Sequence, residues 1–259
     1  MNAKLFNEDC VKGMNNPAYA LKDTIDVIVT SPPYNLGINY LTYNDSLPYE
    51  EYIDWTITWL WACDSCLKSD SSLFLNIGSK PSEAEFPFKL LSSILAKTNF
   101  QLQNTIHWIK SITVGDRSSG HFKPINSKRF INDTHEYIFH LTKTKKVELD
   151  RLAIGVPYED PSNQARWGKD NPGVRCRGNC WFIPYETVTG AKKHPAAFPA
   201  ELPEQCIKLH SIVENTCLAI MDPFMGVGNT GTAVKRLGQD FIGFEIDPVY
   251  FNIAKCKLM

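Results

Sequence analysis

Residues Thr30-Ser31-Pro32-Pro33-Tyr34-Asn35 directly follow the apolar run Ile25-Asp26-Val27-Ile28-Val29. A short run rich in Ile and Val reads as a buried strand. Two prolines then end it, because neither can donate to a sheet ladder, and Pro33 holds Pro32 extended. The carboxyl end of a strand is where ligands bind in open α/β sheets. A stiff corner there turns a backbone carbonyl, the Ser31 hydroxyl and the Tyr34 ring toward one space. Two acceptors and one aromatic face suit an exocyclic amine on a flat ring. Taken alone, the motif reads more readily as a Pro-Pro loop over a buried Tyr, and the rest of the chain overturns that reading.

A second constellation lies near the end of the chain. The strand Thr216-Cys217-Leu218-Ala219-Ile220-Met221 runs into Asp222-Pro223-Phe224-Met225-Gly226-Val227-Gly228-Asn229-Thr230-Gly231. Gly226, Gly228 and Gly231 match the dinucleotide spacing, and Glu245 follows nineteen residues after Gly226. Glycines admit a ligand close to the backbone, and a carboxylate there can hold ribose hydroxyls. A nicotinamide dinucleotide is one reading. Against it, Asp222-Pro223-Phe224 lengthens the turn, and only 28 residues follow Gly231, too few for a second mononucleotide half. A nucleoside cofactor without a pyrophosphate, such as S-adenosylmethionine (SAM), needs the same ribose recognition and close approach.

Both constellations need a sheet to hold them. Strand signals fall at Lys4–Phe6, Ile25–Val29, Ser72–Ile77, Thr105–Ile109, Glu136–Leu141, Thr216–Met221 and Phe241–Glu245. Helix signals fall at Tyr49–Leu67 (Ser46 as cap), Phe86–Ala96, Leu202–Ile212, Ala233–Leu237 and Tyr250–Lys257. The alternation predicts a doubly wound sheet. Residues 111–134 and 143–190 lack helical period and are punctuated by Pro and Gly, as functional loops are. They carry Lys123, Lys128, Arg129, Arg166, Arg175 and Arg177 among Phe122, Trp167 and Trp181. Such groups can neutralise phosphates and stack bases, or simply face solvent.

Composition narrows the classes. The chain has 259 residues, is 43% hydrophobic and has net charge −1, enough for one large α/β domain with an insertion. Charge is uneven: residues 106–193 carry 15 Lys and Arg against 9 Asp and Glu. A basic middle on an acidic body fits a nucleic-acid-facing module or an ordinary solvated face. No apolar leader opens the sequence and no run of about 18 apolar residues suggests a membrane span. Eight Cys include the close pairs Cys63/Cys66 and Cys176/Cys180. Cys63 and Cys66 fall in a Trp-rich helical stretch where buried thiols are ordinary, so no zinc or other metal site is expected. The chain reads as cytoplasmic with free thiols.

In this order and spacing the motifs resemble SAM-dependent DNA amino-methyltransferases of the permuted group that methylates cytosine N4 or adenine N6, over nearly the whole chain. In that group the catalytic motif comes first, the target-recognition segment next and the SAM loop last. The resemblance implies a Rossmann-like, circularly permuted α/β fold: a doubly wound, mostly parallel sheet with an inserted irregular target-recognition region. Its parts would be a catalytic half (1–110), a recognition region with a core strand near 136–141 (111–190), and a SAM-binding half (191–259). Ser31, Pro32, Pro33 and Tyr34 would be catalytic, with Ser31 and the Pro32 carbonyl accepting the amine hydrogens and Tyr34 stacking on the flipped base. SAM would meet Asp9 and Cys10 at its adenine, Glu245 at its ribose, and His194, Pro195 and Phe198 near its methionine end. Asp222, Pro223, Phe224, Gly226, Gly228, Asn229 and Thr230 would form the loop, with Thr230 a better candidate than Asn229 for the SAM carboxylate. The recognition segments would place Lys123, Lys128, Arg129, Arg166, Arg175 and Arg177 on DNA. Ser at position 31 favours cytosine N4 over adenine N6 by resemblance. The implied partners are double-stranded DNA, a second copy of the chain, and a cognate restriction endonuclease acting on the same site.

Overall fold

The computed structural model describes residues 2–38, 40, 42–120, 124–160, 162–165, 173–184, 197–212 and 216–259. The first half runs β1 (Ala3–Phe6), α1 (Cys10–Met14), β2 (Ile25–Thr30), α2 (Tyr49–Cys66), β3 (Leu67–Ile77), α3 (Phe86–Lys97) and β4 (Gln101–Ile109). The middle contributes β5 (Ser111–Val114), β6 (Arg117–Gly120), β7 (His135–Thr142), β8 (Val156–Pro157), α4 (Ser162–Ala165), β9 (Val174–Arg175) and β10 (Cys180–Phe182). The last part supplies α5 (Glu201–His210), β11 (Ala219–Asp222), α6 (Asn229–Arg236), β12 (Asp240–Phe244) and α7 (Pro248–Leu258).

Eight strands form one sheet in the order β1-β12-β11-β2-β3-β7-β4-β10. Every pair is parallel except those that β7 makes with β3 and β4. Two apolar layers follow from the pleat, since alternate residues of one strand face opposite sides. Ile28, Leu73 and Leu75 join α1, α2 and α3 in one core, whereas Val27, Val29 and Phe74 join α5, α6 and α7 in the other. Helices therefore cover both faces, as the strand–helix alternation predicts.

The differences from the sequence reading have local causes. Pro48, not Ser46, caps α2, and no side chain satisfies its first turn. Helix α6 starts at Asn229, inside the glycine loop, because Gly228 takes the left-handed conformation that delivers the chain into the helix. The segment read as irregular builds the β5–β6 hairpin and the edge strand β10. Trp181 lies on β10, only 1% exposed, with its Nε1 donating to the Gly178 carbonyl at 2.9 Å. It is a core residue rather than a stacking platform. Phe122 and Trp167 fall outside the described residues. Trp59 is in the core, Trp55 is partly buried against it and Trp61 is 43% exposed. The eight cysteines are unpaired, with Cys63 and Cys66 buried on α2. Among the described residues no helix is long and apolar enough to cross a membrane, and no three His, Cys, Asp or Glu side chains are grouped to hold a metal ion.

Candidate active site

The carboxyl ends of β1, β12, β11, β2 and β3 lie side by side, and the segments that follow them converge. Asp9 and Cys10 follow β1, Glu245 follows β12, the glycine loop follows β11, Ser31 follows β2 and Asn76 nearly ends β3. Thr30 and Asp222 close adjacent strands and are pinned together: Thr30 Oγ1 donates to Asp222 Oδ1 at 2.8 Å. Asp222 also accepts from Thr230 Oγ1 at 2.6 Å and from the Phe224 N–H at 3.0 Å. Burial pushes its carboxyl up to about 6, against the pull of those three donors. One buried carboxylate thus ties the glycine loop to the strand that carries Ser31.

An open-mouthed cavity of about 740 Å3 runs between Asp9, Cys10, Ser31, Pro33, Tyr40, Tyr43, Trp55, Phe224, Glu245 and Tyr250. A smaller space of about 300 Å3 is lined by Ser31, Phe198, Asp222, Phe224, Gly226 and Asn229. Ser31 and Phe224 border both. Glu245 sits at the floor of the larger one, with Oε2 accepting from the Gly226 N–H at 2.9 Å and Oε1 from the Asp247 N–H at 2.8 Å. Burial outweighs these donors and pushes its carboxyl up to about 7. Gly226 has φ +51°, a conformation that suits glycine and aims its N–H at the acid. Burial raises the Cys10 thiol, so it stays protonated as a wall of the cavity.

The loop after the double proline supplies a wall as well. Asp45 accepts from the N–H groups of Asn35, Leu36 and Ile38 at 2.8, 3.0 and 2.9 Å. Asn35 and Leu47 exchange two further hydrogen bonds of 2.8 and 2.7 Å. These bonds hold residues 35–38 against 45–47, and Tyr40 and Tyr43 line the cavity. Tyr52 on α2 donates to the Pro33 carbonyl at 2.9 Å, while among the described residues nothing donates to the Pro32 carbonyl.

The family described as "N6_N4_Mtase: DNA methylase" matches residues 25–256. The chain belongs to the N6/N4 DNA methylase family. Type II methyltransferase M.ScaI of Streptomyces caespitosus is 30% identical over 249 residues, covering 90% of this chain and 74% of the relative. A solved PvuII DNA methyltransferase (cytosine-N4-specific) superposes with TM-score 0.75 at 20% identity, covering all of this chain and 87% of that one. The M1.HpyAVI–SAM complex matches with TM-score 0.61 at 18% identity, covering 99% of this chain and 100% of that one. These two likenesses are of fold.

In this DNA amino-methyltransferase the expected site residues are not all brought together, and Pro32 is buried and lines neither of the two cavities. Asp9, Cys10, Ser31, Pro33, Pro223, Phe224 and Glu245 line the large cavity, and Phe198, Asp222, Gly226 and Asn229 the small one. Gly228 and Thr230 lie behind the wall: the Thr230 hydroxyl is committed to Asp222 and the residue is 1% exposed. Of Thr230 and Asn229, Asn229 is the one that borders the small cavity. Its amide is engaged: Nδ2 donates to the Phe198 carbonyl and Oδ1 accepts from Lys257, both at 2.6 Å. Tyr34 is also placed otherwise than expected. Only 8% exposed, it lines neither cavity, and its hydroxyl is held by Ser31, Asn76 and Glu136. His194, Pro195, Lys123 and Arg166 fall outside the described residues. Lys128, Arg129 and Arg175 are exposed, and Arg129 lies 5.1 Å from the Phe130 ring. Arg177 is half-buried with Nε donating to the Ile154 carbonyl at 3.1 Å.

Sequence reading missed Tyr40, Tyr43, Asp45, Asn76 and Glu136. Asn76 had a usable signal, since it nearly ends a strand as Ser31 follows one. Glu136 had none without topology: only an antiparallel strand brings its first residues to the carboxyl rim of its neighbours.

Proposed function

We propose that this methylase moves a methyl group from SAM to the exocyclic N4 of a flipped-out cytosine in duplex DNA. The observation that carries the reading is the position of Ser31, whose side chain borders both cavities at the end of β2. The larger cavity suits a nucleoside: aromatic walls flank it, and the Glu245 carboxylate can accept ribose hydroxyls. The smaller one, beside Asn229 and the glycine loop, suits an amino-acid end. Bound SAM supplies a methyl group on positively charged sulfur. Ser31 Oγ and the Pro32 carbonyl accept the two amine hydrogens and turn the nitrogen lone pair toward that methyl, so that positioning supplies much of the rate. A base in the duplex cannot reach this corner and must leave the stack.

Cytosine N4 is favoured by the neutral Ser31 in the resemblance, and the PvuII enzyme that shares the fold is cytosine-N4-specific. Lys128, Arg129 and Arg175 are the described basic groups available to DNA phosphates or guanine edges. The chain acts in the cytoplasm, alongside a restriction endonuclease of the same site. The test is incubation with methyl-labelled SAM and, in parallel, plasmid DNA and bulk RNA. Label in DNA supports the reading, and label in RNA alone overturns it.

A further inference from the structure

Strand β7 is antiparallel to both neighbours, so its beginning lies where β3 and β4 end. Its register pairs Tyr137 with Ile77 and Glu136 with Trp108. Glu136 thereby reaches the rim that holds Ser31. Its Oε1 accepts from Lys110 at 3.0 Å. Its Oε2 accepts from Asn76 Nδ2 at 2.7 Å and from the Tyr34 hydroxyl at 3.1 Å. Asn76 Nδ2 also donates to the Tyr34 oxygen at 2.6 Å, and the Tyr34 and Ser31 hydroxyls are 2.5 Å apart.

The donor count fixes the direction of this chain. A carboxylate only accepts and an amide nitrogen only donates. The Glu136 oxygen therefore decides which end of the Asn76 amide faces it. Across the 3.1 Å contact between Tyr34 and Glu136 the carboxylate cannot donate, so the one Tyr34 hydrogen lies there. The hydrogen between Ser31 and Tyr34 must then come from Ser31. Tyr34 oxygen receives two hydrogens, from Asn76 and Ser31, and is full. Ser31 Oγ is left with lone pairs and no hydrogen to offer the cavity. Gly78 makes room for the arrangement: a Cβ there would meet Tyr34 Cε2 at 3.1 Å and Glu136 Cγ at 3.2 Å. Burial, with the negative charge of Glu136 beside it, raises Tyr34 well above the usual phenol range, so it keeps its hydrogen.

We propose that Glu136 is the terminal proton acceptor of a one-way hydrogen-bond chain from the target amine through the Ser31 and Tyr34 hydroxyls. The inference rests on the amino-methyl transfer proposed above. As the nitrogen–carbon bond forms, the carbon–sulfur bond breaks and its electron pair stays on sulfur. The alkylated nitrogen then carries one proton too many. That proton passes to Ser31 Oγ, the Ser31 hydrogen to Tyr34, and the Tyr34 hydrogen to Glu136 Oε2. Each hydroxyl ends neutral and the carboxylate ends as the acid. An aryl amine that has just been alkylated is a strong acid, so even an ion-paired carboxylate suffices. Glu136 acts through two other residues and is a positioning residue and proton sink, not a catalytic residue.

The test uses Glu136→Gln, which keeps an acceptor for the Tyr34 hydrogen and removes the charge. In the ligand-free protein, the tyrosine 13Cζ resonance missing from Tyr34→Phe identifies Tyr34. The expected result is a displaced Tyr34 resonance in Glu136→Gln and a single-turnover rate lower by more than about tenfold, toward the roughly 10²–10⁴-fold that positioned proton transfer contributes. SAM affinity should stay within about twofold, because Glu136 lines neither cavity. Tyr34→Phe should slow turnover similarly, and the double variant should be no slower than the slower single one, since both cut one chain. A Glu136→Gln rate within twofold of wild type, an unmoved Tyr34 resonance, or additive losses overturns the relay while leaving the methyltransferase reading intact. A wild-type protein that methylates no base overturns both.

Discussion

On the function proposed above, Ser31 meets the target amine with one oxygen whose hydrogen is engaged by Tyr34. Ser31→Ala should lower single-turnover methylation by about 10²–10³-fold, as loss of one preorganised hydrogen-bond partner does. SAM affinity measured by calorimetry should change little. Glu245 makes a prediction of opposite kind. In the proposed SAM site ribose hydroxyls would donate to its ionised form, and burial pushes its carboxyl up to about 7. SAM affinity should therefore fall as pH drops through about 7, by up to tenfold per unit, and rise to a plateau above it. Glu245→Gln should bind SAM more weakly with a flat pH profile. At this scale much was legible. Ser31, the glycine loop and Glu245 declare themselves because strand ends, double prolines and spaced glycines are local signals. Tyr34 and Thr230 show the limit: residue type announced them, but only packing revealed that their hydroxyls face Asn76, Glu136 and Asp222 rather than a ligand.

Between residues and fold stand the loops and helix ends. The segment 35–38 hangs on Asp45, which satisfies three of its backbone N–H groups and is 2% exposed. Asp45→Ala should cost about 2–4 kcal/mol in a denaturant titration, since three donors lose a charged acceptor. It should also weaken SAM, because Tyr40 and Tyr43 lose their placement. The third glycine of the loop has a packing role. A Cβ on Gly231 would lie 2.4 Å from Leu258 Cδ1 and 2.9 Å from Phe241 Cε1. Gly231→Ala should therefore lower the denaturation midpoint, costing about 1–3 kcal/mol by pushing α6 off α7 and β12. Elements with strong apolar runs, such as β2 and α2, were legible to within a residue, whereas β3 begins at Leu67, five residues before the expected Ser72, because Lys68-Ser69-Asp70-Ser71 is polar. The β5–β6 hairpin and β10 were not legible, because they are short, polar or flanked by glycine. Strand β10 is held to β4 by long-range contacts such as that of Trp108, whose indole N–H donates to the Ile183 carbonyl at 2.8 Å.

Across the whole molecule, the sheet is joined by polar groups buried between its strands as well as by its two apolar cores. His140 bridges Ser72 and Asn104 at 2.9 and 3.0 Å and stacks on Phe74, with ring centroids 4.5 Å apart. Burial lowers it to about 3. The unfolded chain binds this proton from about 6.5 downward and the native chain does not, so stability falls as pH drops from about 6.5 to about 3. Asp222 and Glu245 are raised and act in the opposite sense between about 4 and 7. The difference between wild type and His140→Asn isolates the histidine: the variant's stability should lack up to about 1.4 kcal/mol per pH unit of that slope. The doubly wound class was legible from alternation alone, and the motif order pointed to the permuted arrangement. The antiparallel β7 was not legible, because a strand's direction leaves no mark on its own residues, and with it went Glu136. The most direct measurement is nucleoside-resolved mass spectrometry of plasmid DNA after incubation with the protein and SAM, with Ser31→Ala beside it. N4-methylcytosine made by the wild type and absent from the variant is the expected result. N6-methyladenine in its place, or N4-methylcytosine undiminished in Ser31→Ala, would contradict it.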